Sequence, residues 1–310
     1  MSGRCEGMVA LVTGASQGGS GTGLAVRLAA EGAKVGISAR SVEGLERTRE
    51  LVEAVGGEAL VMPCDLGEPE GGRATLVART EEAFGPLDIL VNEPASHALK
   101  QVHEFTLDEL RRHTEVNLWS YWLLMSQVIP GMRDRGRGWI LNFTSFSGEL
   151  PPGPPFAFKA KDGSAIYGAT KAAVNRLTVA AAGENEGVIA VNALTPQIAM
   201  GNAWNSPHVP NNEIWEPVET MVEAGYALLT GDPAVLTGRI AYSLQLIVEL
   251  QLTVRDFANQ ELVEGWQPAD IVEHIKVDER FHAKNGWPDV FDFHRVHTPY
   301  PDVLRTAPSV

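Results

Sequence analysis

A tyrosine and a lysine four residues apart are the first candidates for chemistry. Tyr167 and Lys171 lie in the segment YGATK, and this spacing puts both side chains on one face of a helix. Free tyrosine titrates near ~10, so acid/base work near neutral pH requires a nearby positive charge. Lys171 can supply that charge. The pair alone is weak evidence, because such a spacing is common on ordinary helix surfaces, and its meaning depends on the rest of the chain.

A glycine-rich segment near the N-terminus provides that context. Thr13–Gly23 has the sequence TGASQGGSGTG between a predicted strand and a predicted helix. Glycines there let backbone N–H groups approach a pyrophosphate, and the start of a helix favours negative charge. A merely structural tight turn is the alternative. The strand–loop–helix context favours a dinucleotide site.

The end of the second predicted strand indicates NADP rather than NAD. Ala39 stands where an acid would bind a ribose 2′-hydroxyl, and Arg40 follows it. A guanidinium pairs well with a 2′-phosphate, although Arg40 could also be an ordinary solvated side chain. Asp65, just after the third predicted strand, is placed either to contact the adenine or to cap a helix.

Alternating strand and helix signals predict how these residues are positioned. Short apolar runs predict strands at Val9–Thr13, Lys34–Ser38, Ala59–Met62, Asp88–Val91, Trp139–Phe143, Val188–Leu194 and Ile240–Ser243. Helices are predicted at Leu24–Glu31, Val42–Val55, Gly72–Phe84, Leu107–Ile129 (stopped by Pro130), Ile166–Ala182 and Pro217–Leu229. This order is typical of an α/β fold with a doubly wound parallel sheet of about seven strands.

Composition limits the possible partners. The 310 residues are 44% apolar and 21% charged, with a formal net charge of −14. That balance argues against a nucleic-acid or membrane-surface partner. No apolar stretch reaches the ~18 residues of a membrane span, and no leader is evident. Two cysteines suit a reducing compartment. We therefore expect a cytoplasmic protein. His294 and His297 have no ligand cluster around them, and no metal is expected.

The motifs together resemble the classical short-chain dehydrogenase/reductase family. They occur in the family's order over about three quarters of the chain, roughly residues 8–245: TGASQGGSG at 13–21, CDL at 64–66, VNEPA, VNLWS, NFTSFSG at 142–148, YGATKAA at 167–173 and VNALTP at 191–196. The resemblance implies a single Rossmann-type domain, often tetrameric. It also implies hydride transfer between NAD(P) and an alcohol or carbonyl.

Site residues follow from this resemblance, position by position. Tyr167 would be the general acid/base, and Lys171 would bind the nicotinamide ribose and lower the tyrosine pKa. Ser145, with Ser147 as the alternative, would bond the substrate oxygen, and Asn117 would hold a water of a proton relay. The expected cofactor contacts are Gly14, Ser16, Gly18, Gly21, Arg40, Asp65, Leu66, Asn92, Tyr167, Lys171, Pro196 and Ile198.

Four departures from the family pattern bear on these expectations. The glycine segment is one residue longer, which leaves open whether Gly18, Gly19 or Gly21 meets the phosphate. VNEPA replaces the usual Asn-Asn-Ala-Gly, and its Glu93 could accept a hydrogen bond. A Pro-rich insertion, residues 150–163, lengthens the distance along the chain from Ser145 to Tyr167. Gln197 replaces the usual glycine after Pro196, so the nicotinamide contact falls to the backbone of Ile198.

The remaining expectations concern domains, assembly and activity. We expect a catalytic domain at 1–250 and an extension at 251–310 that covers the substrate cleft or a neighbouring subunit. The aromatic residues around Trp119 are expected to pack in the core or against a second copy, which suggests a homodimer or homotetramer. Trp204, Asn205 and Trp215 suit either a substrate lid or core filling. The predicted activity is NADP-dependent interconversion of a secondary alcohol and a ketone, on a substrate we expect to be hydrophobic. A catalytically silent NADP-binding sensor or scaffold is the alternative, and a dehalogenating relative without cofactor is disfavoured by Lys171 and Arg40.

Overall fold

The central sheet is parallel throughout and has the predicted doubly wound order. The computed structural model describes residues 3–69, 72–151, 153–154, 156, 160–198, 200 and 215–284. Within them, seven strands pair in the order β3-β2-β1-β4-β5-β6-β7. Their bounds are β1 Val9–Thr13, β2 Lys34–Ala39, β3 Glu58–Pro63, β4 Ile89–Asn92, β5 Gly138–Phe143, β6 Ile189–Thr195 and β7 Ile240–Tyr242. The Rossmann-type prediction is confirmed.

Helices cover both faces of the sheet because the buried strands are apolar on both sides. Along β1, Ala10 and Val12 join one hydrophobic cluster, while Val9 and Leu11 join the other. The first cluster includes side chains of α1 (Ser20–Ala30), α2 (Val42–Ala54), α7 (Val218–Thr230) and α8 (Ser243–Leu250). The second includes side chains of α3 (Leu76–Phe84), α5 (Ser120–Arg135) and α6 (Ala165–Glu184).

The long helical segment after β4 differs from its prediction in two ways. It consists of α4 (Leu107–Thr114), a π-helical stretch at Glu115–Trp119 and then α5. The expectation that Pro130 stops the helix is wrong, because α5 continues to Arg135. Met132, fully buried against β5, and an Arg133 hydrogen bond of 2.7 Å to Asn185 hold the last turn in place. Tertiary packing therefore outweighs the hydrogen bond that proline removes.

The chain beyond the sheet contains a helix that the sequence did not predict. After α8, residues 251–267 lead into α9 (Pro268–Lys284). Val254 and Ile271 are completely buried in the same cluster as α1 and α7. Four aromatic residues of the expected extension, Trp287, Phe291, Phe293 and Tyr300, lie outside the described residues, as do His294 and His297 and the side chain of Phe281. None of the helices in the described part of the chain is long and apolar enough to cross a membrane.

Candidate active site

The candidate residues meet at one edge of the sheet, where three neighbouring strands end. Thr13 of β1 is in register with Asn92 of β4, which is in register with Asn142 of β5. The glycine-rich segment, residue 93 and Ser145 therefore all follow strands that stop near the same level. In an open α/β sheet, ligands bind in the crevice at the carboxyl ends of the strands.

Two glycines bring Ser145 to Tyr167 despite the insertion between them. Ser145 precedes a short 3₁₀ turn at Phe146–Gly148 that lies directly against α6. A Cβ on Gly168 would come within 2.3 Å of the Ser147 carbonyl oxygen, and one on Gly148 within 3.0 Å of the Ala172 nitrogen. Only glycine permits this close approach. As a result the Ser145 side chain hydrogen-bonds the Tyr167 side chain.

Lys171 lies in the core of this group and is 1% exposed. Its Nζ donates to the Phe143 carbonyl oxygen at 2.7 Å and to the Tyr121 hydroxyl at 3.2 Å. The same nitrogen is 5.7 Å from the centre of the Tyr167 ring. Both Tyr167 and Lys171 are on α6, one turn apart, as predicted.

Burial controls the electrostatics of this pair. It lowers the pKa of Lys171 to about 7, although the carboxylate of Glu93 acts in the opposite direction. Burial likewise raises the pKa of Tyr167 to about 12, against the lowering effect of the Ser145 hydrogen bond. Without a ligand, the tyrosine is therefore a neutral phenol, and it needs additional positive charge nearby to ionise at ordinary pH.

Asn117 is fully buried in the π-helical stretch, and its side chain hydrogen-bonds Ser96 and Thr170. Its Oδ1 accepts from the Ser96 backbone N–H at 2.7 Å, and its Nδ2 donates to the Ser96 carbonyl at 2.8 Å and to Thr170 at 3.1 Å. The side chain thus fastens the loop after β4 to α6. A role in a proton relay stays a prediction.

The glycine-rich segment forms a cradle at the start of α1. The helix begins at Ser20, after Gly19, and Gly18 takes a left-handed conformation with φ of 68° and open space around it. A Cβ on Gly21 would lie 3.0 Å from the Gly14 carbonyl oxygen. Gly19 and Gly21 therefore lie at the helix terminus, and Gly18 makes the left-handed turn just before it.

A glutamate reaches into this cradle. The Glu93 carboxylate accepts hydrogen bonds from the Gly21 backbone N–H and the Ser20 hydroxyl, and its Oε2 would be 1.9 Å from a Cβ on Gly21. Burial raises the pKa of Glu93 to about 8, while these two hydrogen bonds and Lys171 favour the ionised form. The acceptor role suggested by the sequence is present, and its donors lie at the terminus of α1.

The adenosine side of the candidate site has a mixed charge. Arg40 is exposed and forms no ion pair with any residue that the structure describes, yet it is close enough to help lower the pKa of Asp65. Asp65 itself pairs with Arg112 at 2.9 Å and accepts from the Gly67 N–H at 2.9 Å. The carboxylate is thus bound by a neighbouring cation, and this pairing was not predicted from the sequence.

Three other predicted contacts have buried side chains. Leu66 and Ser16 are 4% and 9% exposed, and Asn92 is fully buried with its Nδ2 bonded to Asn142 at 3.0 Å. The Asn92 side chain therefore joins β4 to β5. Any contact that it makes with a nucleotide must come from its backbone.

A second buried carboxylate occupies the backbone donors after β6. Glu216 accepts from the N–H groups of Gln197 and Ile198 at 3.0 and 3.1 Å and from Thr220 at 2.7 Å. Burial raises the pKa of Glu216 to about 7. Ile198 therefore has its N–H engaged, and its contact with a nicotinamide stays a prediction, as does that of the partly buried Pro196.

Several relevant side chains had little or no signal in the sequence. Glu93 could be suspected as a charge directly after a buried strand, and Tyr121 belonged to an aromatic group taken for packing. His97, whose ring meets the Tyr167 ring edge-on at 4.7 Å, and Glu216 had no signal. Trp204 and Asn205 of the expected lid lie outside the described residues, and Trp215 is partly buried. Among the described residues, no cluster of His, Cys, Asp or Glu could hold a metal ion.

These features fit a nicotinamide dinucleotide. The cradle between Gly14 and Gly21 excludes any side chain at residue 21, and its backbone donors already face an oxygen acceptor, the carboxyl group of Glu93. A buried Gln197 Nε2 has no partner among the described residues and lies beside the expected nicotinamide segment. Anion donors, a buried lysine and a phenol at one sheet edge are the groups that such a cofactor requires.

Comparisons with known proteins agree with this fit. A model of the short-chain dehydrogenase family matches residues 8–206. Tropinone reductase-like 3 of Erythroxylum coca is 32% identical over 197 residues, 62% of this chain and 70% of that protein. Versicolorin reductase 1 of Aspergillus parasiticus is 31% identical over 217 residues, 68% of this chain and 78% of that protein.

Solved structures give the same result. Levodione reductase superposes with a TM-score of 0.67 at 26% identity, covering 78% of this chain and 98% of that chain. A metagenomic short-chain oxidoreductase in complex with NADP superposes with a TM-score of 0.63 at 28% identity, covering 76% of this chain and 95% of that chain. The chain is thus an oxidoreductase that belongs to the short-chain dehydrogenase/reductase family, whose members bind NAD(P).

Proposed function

We propose that this enzyme interconverts a secondary alcohol and a ketone with NADP as its hydride partner. The observation that carries the proposal is the contact of Ser145 with Tyr167, one helical turn from the buried Lys171, at the carboxyl edge of the sheet. The hydrogen-bonded hydroxyls of Ser145 and Tyr167 can approach one substrate oxygen together. That arrangement is suited to a carbonyl that becomes an alcohol.

The proposed reduction requires one proton and one hydride. A bound reduced nicotinamide would supply the hydride, with its electron pair, to the carbonyl carbon. Tyr167 donates its hydroxyl proton to the carbonyl oxygen, while Ser145 donates a hydrogen bond to the same oxygen and holds it in position. The products are the alcohol and a tyrosinate, which must recover a proton from solvent. In the oxidation direction, Tyr167 as tyrosinate removes the alcohol proton.

Lys171 supports this step through its charge. The positive charge of the protonated ammonium stabilises a tyrosinate 5.7 Å away, measured to the ring centre. Burial lowers the pKa of Lys171 to about 7 in the absence of ligand. Phosphate groups in the neighbouring cradle would favour the protonated form and so strengthen the effect on Tyr167.

NADP is proposed over NAD because of Arg40. At the end of β2, Ala39 occupies the position from which a carboxylate would bind the ribose 2′-hydroxyl of NAD. Arg40, exposed and without an ion pair in the described part of the chain, is available for a 2′-phosphate. NADP is bound in the solved metagenomic relative, which supports the choice.

Localisation and assembly are part of the proposal. We expect a cytoplasmic homodimer or homotetramer that acts on a hydrophobic alcohol or ketone, without nucleic-acid or membrane partners. Trp119 and Trp122 are 47% and 49% exposed on the long helical segment. Exposed aromatic pairs of this kind are typical of an interface between copies.

The test is a titration with NADPH and NADH followed by turnover on a panel of ketones. We expect NADPH to bind more tightly than NADH and at least one ketone to be reduced. Tyr167→Phe should bind NADPH as the wild type does but lose turnover by about 10²–10⁴-fold. Unchanged turnover in Tyr167→Phe would remove the proposed mechanism.

A catalytically silent NADP-binding protein is the second candidate. Its motivation is the two segments that depart from the family pattern, VNEPA with Glu93 and PQIAM, whose Ile198 N–H donates to Glu216. Tight NADPH binding without oxidation by any ketone of the panel would support this candidate over the enzyme.

A further inference from the structure

The Glu93 carboxylate and the phosphates of a dinucleotide require the same donors. Its oxygens accept from the Gly21 N–H and the Ser20 hydroxyl at the first turn of α1. Its Oε1 would be 4.0 Å from a Cβ on Gly19, so the carboxylate spans the terminus of the helix. This argument depends on the proposed use of NADP, because it assumes that the cradle receives the phosphates.

The cradle is too narrow for both groups. Oε2 of Glu93 lies 1.9 Å from the Cβ position of Gly21, which is itself 3.0 Å from the Gly14 carbonyl oxygen. A phosphate oxygen that accepts from the Gly21 N–H needs a donor–acceptor distance near ~2.9 Å. It would then overlap the Glu93 carboxylate, so one acceptor must replace the other.

Glu93 is held by tight packing at its backbone end and by two hydrogen bonds at its carboxylate. A Cβ on Gly14 would be 3.0 Å from the Glu93 carbonyl carbon, which shows how tightly the backbone passes the cradle. The residue as a whole is only partly buried. Burial of its carboxyl group raises the pKa to about 8, which shows that the charged form is unfavourable there. Lys171 and Tyr121 are the other titratable groups that interact with it. The side chain can therefore be displaced by a stronger anion.

We propose that Glu93 is an internal competitor of the nucleotide, and that its side chain must leave the start of α1 before the dinucleotide phosphates bind. The residue therefore sets the affinity for NADP without contacting the substrate. Nucleotide binding costs the hydrogen bonds that Glu93 makes with Gly21 and Ser20. Shortening the side chain removes that cost.

The experiment measures the dissociation constants of NADPH and of inorganic pyrophosphate by calorimetry at pH 9, above the raised pKa of Glu93. The proteins are the wild type, Glu93→Ala and Glu93→Gln. Glu43→Gln is the matched control, because it removes one carboxylate charge from an exposed position on α2. A thermal melt of each variant establishes that it is folded.

We expect Glu93→Ala to bind both probes at least about tenfold more tightly than the wild type. A change of this size corresponds to the energy of about one charge-assisted hydrogen bond. Glu93→Gln, which keeps the shape but not the charge, should fall between them, and Glu43→Gln should match the wild type. Loss of a purely structural contact would lower the melting temperature but would not tighten binding.

Two results would overturn the inference. Equal or weaker binding by folded Glu93→Ala would show that the side chain does not compete, while leaving the proposed NADP function intact. A crystal of the wild type with NADPH in which Glu93 still bonds Gly21 would have the same meaning. If no protein in the series binds NADPH, the proposed function fails, and the inference fails with it.

Discussion

The Nζ of Lys171 donates a 2.7 Å hydrogen bond to the carbonyl oxygen of Phe143, the last residue of β5. The bond links the lysine of α6 to the strand that leads directly into Ser145. The sheet therefore fixes the position of the cation relative to both hydroxyls. Because Lys171 is also buried, its charge acts on Tyr167 with little screening by solvent.

Replacing Lys171 by methionine should therefore change the pH dependence of turnover as well as its size. Without the ammonium, the tyrosinate loses a buried cation 5.7 Å from its ring centre, while burial still raises the pKa of Tyr167 to about 12. We expect alcohol oxidation at pH 8 to fall by about 10²–10⁴-fold. The rise of kcat with pH should move upward by at least about one pH unit.

Steady-state kinetics between pH 6 and pH 10 provide the measurement. Arg176→Met is the control, since Arg176 is an exposed cation on the same helix. A Lys171→Met enzyme with the wild-type pH profile would contradict the assigned role.

The two serines of the segment SFS can be separated by mutation. Ser145 bonds Tyr167 and accepts from the Ser147 N–H at 3.2 Å. We expect Ser145→Ala to lower kcat by about 10²-fold or more, because one of the two groups on the substrate oxygen is lost. Ser147→Ala should retain most of kcat. Comparable losses in the two variants would reject Ser145 as the substrate-binding serine.

Arg40 should determine the choice between the two nucleotides. Arg40→Ala removes a guanidinium that can form charge-assisted hydrogen bonds to a 2′-phosphate, each worth about 1.5–3 kcal/mol. We expect NADPH affinity to fall by about 10–100-fold while NADH affinity stays the same. Fluorescence titration of both nucleotides measures the ratio. Arg47→Ala, an exposed cation on α2 paired with Glu43, is the control. Equal losses for NADPH and NADH would argue against a 2′-phosphate contact.

The sequence was sufficient to predict the sheet. Buried parallel strands are short apolar runs, and their order follows from right-handed crossovers. It also placed Tyr167 and Lys171 on one helical face. It did not reveal that Pro130 lies inside α5, since that depends on how Met132 packs against β5. The role of Glu216 could not be predicted for a related reason. The backbone N–H groups that it binds belong to residues 197 and 198, which are 19 and 18 residues earlier in the chain.

Glu216 gives a prediction for stability against pH. Burial raises its pKa from 4.5 to about 7 in the folded protein. The folded state therefore holds a proton that the unfolded state releases between these values, and the corresponding stability is present below about pH 4.5 and lost as pH rises through about 7. Glu216→Gln cannot titrate. The wild type should exceed this variant in stability at pH 5, and by a smaller margin at pH 8.

Urea denaturation at both pH values measures this margin. Glu219→Gln, which removes a carboxylate from the first turn of α7, just after Glu216, controls for the change in net charge. A margin that grows with pH would show that Glu216 is stabilised as a carboxylate.

The segment beyond α8 should behave as part of the fold. Ile271 of α9 is completely buried in the cluster that contains α1 and α7, while its neighbour Val272 is partly exposed. Arg27 of α1 donates to the Asp256 carbonyl at 2.9 Å, and a Cβ on Gly23 of α1 would be 2.9 Å from the Phe257 ring. These contacts join the extension to the helix that forms the cradle.

Ile271→Ala should therefore destabilise the protein by about 2–4 kcal/mol, because it leaves a cavity in a shared core. Val272→Ala removes a partly exposed side chain and should cost less than about 1 kcal/mol. Equilibrium unfolding in urea provides both values. Similar, small losses would mean that α9 contributes little to the domain. A large loss confined to Ile271→Ala would establish that the domain depends on residues beyond 250.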